Sequence, residues 1–398
     1  MSEVPSPFHS PSRIAGAKPR VAITGAGIIG LGVGWRLARA GAVVDIFERG
    51  EAGRGASWAA AGMLSAALEA EPGEERLFIL NRKSQALWPG FAEELERASG
   101  LDVGYRREGT LLVALTRDAT RELAFTLDFA RGLGARLEWL DGRDALGREP
   151  HLHPATLGAV FSPDDHQVDN RCVVRALKTA YLAAGGQLHE NAPVDAVEIS
   201  GGRARGLRVG GHVHEADAVL LAAGAWSRGI KGLPASLSIP VRPVKGQMLA
   251  LRMDPRMPLL NHVLWAPKAY LVPRRDGRLI VGATVEERGF DGSLTAGGML
   301  ALLEAAWRAL PAIEELPIEE MWAGFRPGSR DDAPLLGPTE VDGLVLATGH
   351  HRNGILLAPI TIGTMSRFIL TGELDPAIVD FGLGRFAAAR PAERRGAS

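Results

Sequence analysis

Cysteine is nearly missing from this chain: Cys172 stands alone among 398 residues. A lone thiol can neither close an internal disulfide nor build a cysteine-rich metal centre, so a reducing, cytoplasmic setting is expected. Charge of one sign is also lacking, with 45 Lys and Arg against 46 Asp and Glu and a formal net charge of -1. No broad basic field exists to hold nucleic acid unspecifically, and no such partner is expected. No apolar stretch reaches the length of a membrane span, since the longest candidates are broken by charges or are strands bounded by glycine. Met1 to Lys18 lack the apolar core of a secretory signal and are rich in Pro and Ser, which reads as a disordered tail. No internal repeat is found, and tyrosine occurs only three times.

What is present is a dinucleotide cradle. The apolar run Val21-Ala22-Ile23-Thr24 flows into Gly25-Ala26-Gly27-Ile28-Ile29-Gly30 and then into a helical pattern ending at Gly41. Gly25 permits the tight turn after a strand, Gly27 lets the backbone approach a pyrophosphate, and Gly30 lets helix and strand pack closely. The helix N-terminus then faces the anionic phosphates. A second strand, Val43 to Glu48, ends in a carboxylate roughly 20 residues beyond the glycines, the spacing of an acidic partner for ribose hydroxyls. The competing reading of Glu48 is a solvated strand end.

A chain of this length suggests two interleaved domains. Arg54 to Leu64 is a run of small side chains, Gly55-Ala56-Ser57-Trp58-Ala59-Ala60-Ala61-Gly62-Met63, suited either to lying against a flat ligand or to tight helix packing. Glu74 to Ser99 reads as an amphipathic helix with Leu77, Leu80, Leu87 and Leu95 on one buried face. Further helices are expected around Arg117 to Gly132, from Val168 to Gly185 with Asp169 or Asn170 as cap, and from about Ala358 to Thr371. Ala216 to Ser227 reads as a buried strand ending in a second nucleotide-facing turn at Gly224. The strand-rich stretch from Pro240 to Ala283 suggests a separate antiparallel sheet.

Several separated motifs, in order, carry a resemblance. They are Gly25 to Gly30, Ala59 to Leu64, Val241-Arg242-Pro243-Val244-Lys245-Gly246, Tyr270-Leu271-Val272-Pro273-Arg274, Val281-Gly282-Ala283-Thr284, Trp322 to Gly328, and Gly349 to Pro359. From Arg20 to about Phe386 the sequence resembles the D-amino-acid oxidase superfamily and, within it, the glycine oxidases of the thiamine pathway. The resemblance implies an α/β plus α+β fold in which a Rossmann-like FAD-binding domain (19–105, 167–240 and 320–386) is interleaved with an antiparallel-sheet substrate domain (106–166 and 241–319), with a flexible tail at 387–398. It also implies noncovalently bound FAD and oxidation of the carbon–nitrogen bond of glycine, sarcosine or small D-amino acids. The product is an imine and then an oxo acid, with dioxygen reoxidising the flavin to give hydrogen peroxide. A homo-oligomer is compatible with the sequence.

The implied site residues follow motif by motif. Arg326 matches a carboxylate-binding arginine and Tyr270 a tyrosine that adds a second hydrogen bond; two parallel bonds from a guanidinium are the strongest grip on a carboxylate. The competing reading of Arg326 is a salt bridge with Asp331 or Asp332. Arg352 matches another arginine near the active site, serving substrate access or electrostatic support, or else capping a helix. Ser57, Ala61, Gly62 and Met63 are expected beside the flavin, Val194 at adenine, and Ala223 and Gly224 along the ribityl and pyrophosphate region. Arg49 covers the adenosine or makes a solvated salt bridge. Asn353, Gly354, Ile355 and Leu356 lead into the last helix, whose N-terminal dipole favours negative charge at flavin N1 and the C2 oxygen. His350 and His351 lack a third ligand, so no metal is expected. Lys268 and Val285 depart from the histidine and methionine the family can carry there, which bears on substrate size or charge.

Rival readings are a D-amino-acid dehydrogenase handing electrons to a quinone or carrier, a transfer-RNA-modifying oxidase domain, and a noncatalytic flavin-binding module. The absent basic field argues against the second, and the presence of Tyr270 and Arg326 against the third. A covalent-flavin sarcosine oxidase would need a cysteine near the C-terminal motif, and Cys172 lies far from it.

Overall fold

The computed structural model describes residues 18–389. The tails expected at 1–18 and 387–398 fall outside that range except for Lys18 and residues 387–389, which finish a short 3-10 stretch, Leu383–Ala389. Two large sheets organise the chain.

The first has six strands in the order Leu335–Pro338, Leu344–Thr348, Ala218–Leu221, Arg20–Thr24, Val43–Phe47 and Gln187–His189. All neighbours are parallel except the antiparallel edge pair Leu335–Pro338 and Leu344–Thr348. Its central strands are buried on both faces, which explains their unbroken apolar runs. Helices Ile28–Arg39, Asn170–Ala183 and Ala358–Thr371 cover one face around a core that includes Ile23, Leu31, Leu177 and Ile362. A three-stranded antiparallel meander, Val194–Ser200, Arg203–Val209 and His212–Glu215, covers the other.

The second sheet has eight strands, ordered Ile318–Gly328, Arg242–Arg252, Arg278–Gly282, Ala269–Pro273, Val263–Ala266, Thr110–Ala114, Gly158–Ser162 and Glu138–Asp141. Its pairings are antiparallel apart from Val263–Ala266 against Thr110–Ala114. The two eleven-residue strands Arg242–Arg252 and Ile318–Gly328 pair along most of their length, setting Val244 opposite Arg326 and Gly246 opposite Gly324. Helix Ala296–Ala309 packs its buried Leu302 and Ala306 against this sheet.

The helix expected over Glu74 to Ser99 spans Glu75–Ser99, with Leu77, Leu80 and Leu95 buried. Leu87 is the exception and lies 48% exposed. At about 100° of turn per residue, a face centred on Trp88 and Leu95 leaves Leu87 at its margin; Trp88 and Phe91 fill the groove instead. The helix expected over 168–185 spans Asn170–Ala183, and Asp169 is its cap, accepting the N–H groups of Arg171 and Cys172. Among the described residues no helix is long and apolar enough to cross a membrane.

Candidate active site

A cavity of about 900 Å³ opens between the two sheets, with walls drawn from both. Gly25, Gly27, Ile28 and Ile29 line one end together with Glu48, Arg49, Val194, Ala223 and Gly224. Gly25 sits at φ +97°, and a Cβ there would lie 2.5 Å from the Ala222 carbonyl oxygen, so only glycine lets two adjacent strand ends meet at this turn. Its N–H donates to the Phe47 carbonyl at 2.8 Å. Glu48 is no solvated strand end: its Oε2 accepts the Ala26 N–H at 2.9 Å and its Oε1 the Gly50 N–H at 3.2 Å. The carboxylate thus holds the glycine loop while facing the cavity. Helix Ile28–Arg39 has no side-chain cap from its own Gly27. Instead the Ser57 hydroxyl accepts the Ile28 N–H at 2.9 Å, placing Ser57 at the positive end of that helix. The Arg49 guanidinium stacks 3.5 Å from the centre of the Trp226 ring, a cation–π contact in place of the solvated salt bridge.

The small-residue run forms the middle of the cavity, where Ala59, Ala60, Ala61, Gly62 and Met63 all line the wall. It presents backbone because its carbonyls are tied down from behind. Trp322 Nε1 donates to the Ala59 carbonyl at 3.0 Å, and Asn170 Nδ2 to the carbonyls of Ser57 and Trp58 at 2.8 and 3.0 Å. Arg274 is the hub: Nη2 donates to the Ala61 carbonyl at 2.6 Å, and Nη1 to the Val168 carbonyl at 2.7 Å and Gln167 Oε1 at 2.9 Å. Burial lowers its pKa to about 10 against the pull of Asp169, so it stays charged at neutral pH. Gly62, at φ +71°, packs where a Cβ would lie 2.1 Å from the Val168 carbonyl oxygen.

Tyr270, Arg326, Arg352 and Glu69 gather at the far end. Arg326 rises from the strand Ile318–Gly328 and donates to the Thr284 carbonyl at 3.1 Å. The expected competitors are occupied elsewhere, Asp331 by Arg385 and Asp332 by Arg242, and among the described residues no carboxylate pairs with Arg326. Two glycines clear space for the pair. A Cβ on Gly246 would lie 2.6 Å from Arg326 Nη1, and one on Gly282 would lie 2.6 Å from the Tyr270 hydroxyl. Burial pushes the Tyr270 phenol up, so it is a neutral donor there, and Trp265 packs against its ring at 5.3 Å. Arg352 is held by three carboxylates, Glu74 at 2.8 Å, Glu69 at 3.1 Å and Glu71 at 3.3 Å. It caps no helix; it ties the 69–74 segment, of which Glu69 lines the cavity, to the stretch after Leu344–Thr348.

Gly354 and Ile355 line the wall below the last helix, whereas Ala26, Gly30, Asn353 and Leu356 stand behind it. Gly30 packs where a Cβ would lie 1.9 Å from the Gly25 carbonyl oxygen, and the Leu356 carbonyl accepts Ser84 Oγ and Trp88 Nε1. Lys268 and Val285 line the rim, Val285 being 73% exposed. His350 Nε2 lies 3.1 Å from the Thr361 hydroxyl, and burial pulls both His350 and His351 down to about 4. The described residues contain no group of three side chains placed to hold a metal.

Sequence reasoning missed Glu69, Gly246 and Gly282 as functional positions. Both glycines sit inside quoted motifs, but their task is visible only against the side chains they accommodate. Nothing in the spacing of Ala66-Ala67-Leu68-Glu69 distinguishes Glu69 from a solvated acid.

The family described as DAO, FAD dependent oxidoreductase, matches residues 20–365. The chain belongs to that family. It is 39% identical over 345 residues to the glycine oxidase of Geobacillus kaustophilus, covering 86% of this chain and 90% of that one. To the bifunctional protein ThiO/ThiG of Synechocystis sp. it is 38% identical over 372 residues, 92% of this chain. The chain spans about half of that relative's length, 54%. The crystal structure of glycine oxidase from G. kaustophilus superposes with a TM-score of 0.85 at 37% identity, over 92% of this chain and 99% of that one. FAD is the family's cofactor, and the cavity fits it: a glycine cradle at a helix N-terminus, a flat wall of small residues in the middle, and a polar pocket beyond.

Proposed function

We propose that this protein oxidises glycine, sarcosine or small D-amino acids at the α-carbon, passing electrons to FAD and then to dioxygen with release of hydrogen peroxide. The observation that carries the reading is Arg326, a guanidinium on the cavity wall without a carboxylate partner among the described residues, beside the neutral Tyr270 hydroxyl. A small amino acid offers few groups to grip, and its carboxylate is the one a guanidinium fork holds best. Anchored there, the α-carbon lies toward the wall formed by Ala59 to Met63, and positioning supplies much of the rate. FAD, when bound, accepts the hydride equivalent from that carbon. The protein's residues hold the carboxylate through Arg326 and Tyr270, fix the cofactor-facing backbone through Arg274 and Trp322, and narrow the pocket with Met248 and Trp265.

The test is purified protein challenged with a panel of amino acids under air, reading flavin bleaching and peroxide. Peroxide in step with bleaching is expected for glycine or sarcosine. Bleaching without peroxide, relieved by a quinone, would turn the reading to a dehydrogenase. No bleaching by any amino acid would overturn it.

A further inference from the structure

We propose that Glu69 is a catalytic residue that takes the proton from the substrate's ammonium group before the α-carbon is oxidised. The inference rests on the function proposed above.

Geometry supports it first. The Glu69 side chain is only 12% exposed and lines the same end of the cavity as Arg326 and Tyr270. The other cavity-lining carboxylates, Glu48 and Glu51, lie at the opposite end, beside the glycine loop. An amino acid whose carboxylate meets Arg326 carries its nitrogen on the adjacent carbon, and Glu69 is the acid within the electrostatic reach of both clamp residues.

The side chain is also held in place. Asp165 accepts the N–H groups of Ala66, Ala67 and Leu68 at 3.0, 3.2 and 3.1 Å, fixing the turn that leads into Glu69. Arg352 Nε lies 3.1 Å from Glu69 Oε2 on the other side. Among the described residues none donates a hydrogen bond to Oε1, which leaves that oxygen for a ligand.

Protonation state agrees. Burial pushes the Glu69 carboxyl up to about 7, with Arg352 and Arg326 pulling it down and Asp165 and Glu71 pushing it up. The groups acting on it are Arg352 from the segment after Leu344–Thr348, Arg326 and Tyr270 from their strands, Asp165 from the facing turn and Glu71 on its own segment, while Glu74 shares Arg352 with it and His351 lines the same cavity. His351 is pulled down to about 4, so it does not titrate near 7.

The step balances simply. The substrate N–H bond breaks, an O–H bond forms at Glu69 Oε1, and the nitrogen keeps the electron pair. That lone pair then becomes the C=N bond as hydride leaves the α-carbon, and Glu69 returns its proton to water after the imine departs. The hydride goes to FAD, the acceptor in the function proposed above, and no reactant beyond substrate, FAD and water is needed.

In the unmodified protein, kcat/KM for glycine is expected to rise with pH along a limb near 7. Acetate, which has the carboxylate but no ammonium, is expected to respond oppositely. Its affinity, read from the flavin spectrum, should fall about tenfold as Glu69 ionises beside it. Parallel slopes for the two would overturn the proposal without any variant.

Glu69→Gln should lower kcat/KM for glycine at pH 7 by about 10²-fold, remove the limb near 7, and flatten the acetate profile while acetate still binds. The gap to the unmodified protein should close at high pH, where the amine arrives already neutral. A limb near 7 that persists in Glu69→Gln, or a loss equal at all pH values, would overturn the proposal. Absence of amino-acid turnover in the unmodified protein would instead overturn the proposed function.

Discussion

At the helix-facing end of the cavity the chain presents mostly backbone, drawn from the single stretch Gly25 to Ser57 with Val194 and Ala223 closing one side. At the far end it presents side chains, with Glu69, Tyr270, Arg326 and Arg352 arriving from four distant segments. The first end needs little of a side chain except its absence at Gly25, and its polarity comes from a helix terminus that exists wherever the helix does. The second needs particular groups at particular distances, so it is built on paired strands and depends on neighbours that leave room. Binding of a common cofactor is thereby separated from choice of substrate. Changes at one end should leave the other measurable.

The largest effect that would sharpen this separation is expected from Arg326→Lys. Lysine keeps the charge but loses the planar fork and the bond to the Thr284 carbonyl. Truncating a buried charge pair costs about 2–5 kcal/mol, roughly thirtyfold to several thousandfold in kcat/KM at 1.4 kcal/mol per decade. Steady-state rates on glycine and sarcosine should fall by that range, with FAD content unchanged. Amines without a carboxylate should not respond, and an equal loss on them would break the assignment of Arg326 to the carboxylate.

Next comes Gly246→Ala, which adds one methyl 2.6 Å from Arg326 Nη1 and 2.8 Å from Nη2. The guanidinium end must move by about an ångström, and a misplacement of that size costs about 10²-fold. The loss in kcat/KM should shrink when Gly246→Ala is made in the Arg326→Lys background, because the methyl then displaces a group already compromised. Full additivity in that cycle would show that Gly246 acts through something other than Arg326.

The same contrast explains what was legible in the sequence. A strand, a glycine triplet, a helix, a second strand and an acid lie consecutively, so periodicity and spacing suffice to read Gly25 to Glu48 as a cradle. Segment-level elements read well for the same reason; Arg117–Gly132 and Ala358–Thr371 match their sequence limits. Leu87 failed because a four-residue leucine pattern says nothing about which arc of the helix Trp88 and Phe91 will claim. At the far end, Tyr270 and Arg326 were legible only through family motifs, since the pairing of Val244 with Arg326, some eighty residues apart, and the space that Gly282 leaves for Tyr270 are invisible to local pattern. Glu69 was not legible at all. Its distinction lies in burial and in Asp165 and Arg352, which come from far along the chain.

The smallest effect is expected at the other end, from Glu48→Ala. Both carboxylate oxygens already accept a backbone N–H, from Ala26 and from Gly50, yet a carboxylate has about four acceptor positions and can take ribose hydroxyls as well. Alanine removes both duties at once, whereas Glu48→Gln keeps one oxygen to accept either the Ala26 N–H or a hydroxyl. Losing a hydrogen bond to a charged group costs about 1.5–3 kcal/mol, so the FAD dissociation constant, read from recovery of flavin fluorescence, should rise roughly ten- to a hundredfold in Glu48→Ala and less in Glu48→Gln. At saturating FAD, kcat on glycine should match the unmodified protein, because the substrate end has not been touched. A fall in saturated kcat would mean that the glycine loop and the far end move as one, and the separation drawn between the two ends would be wrong.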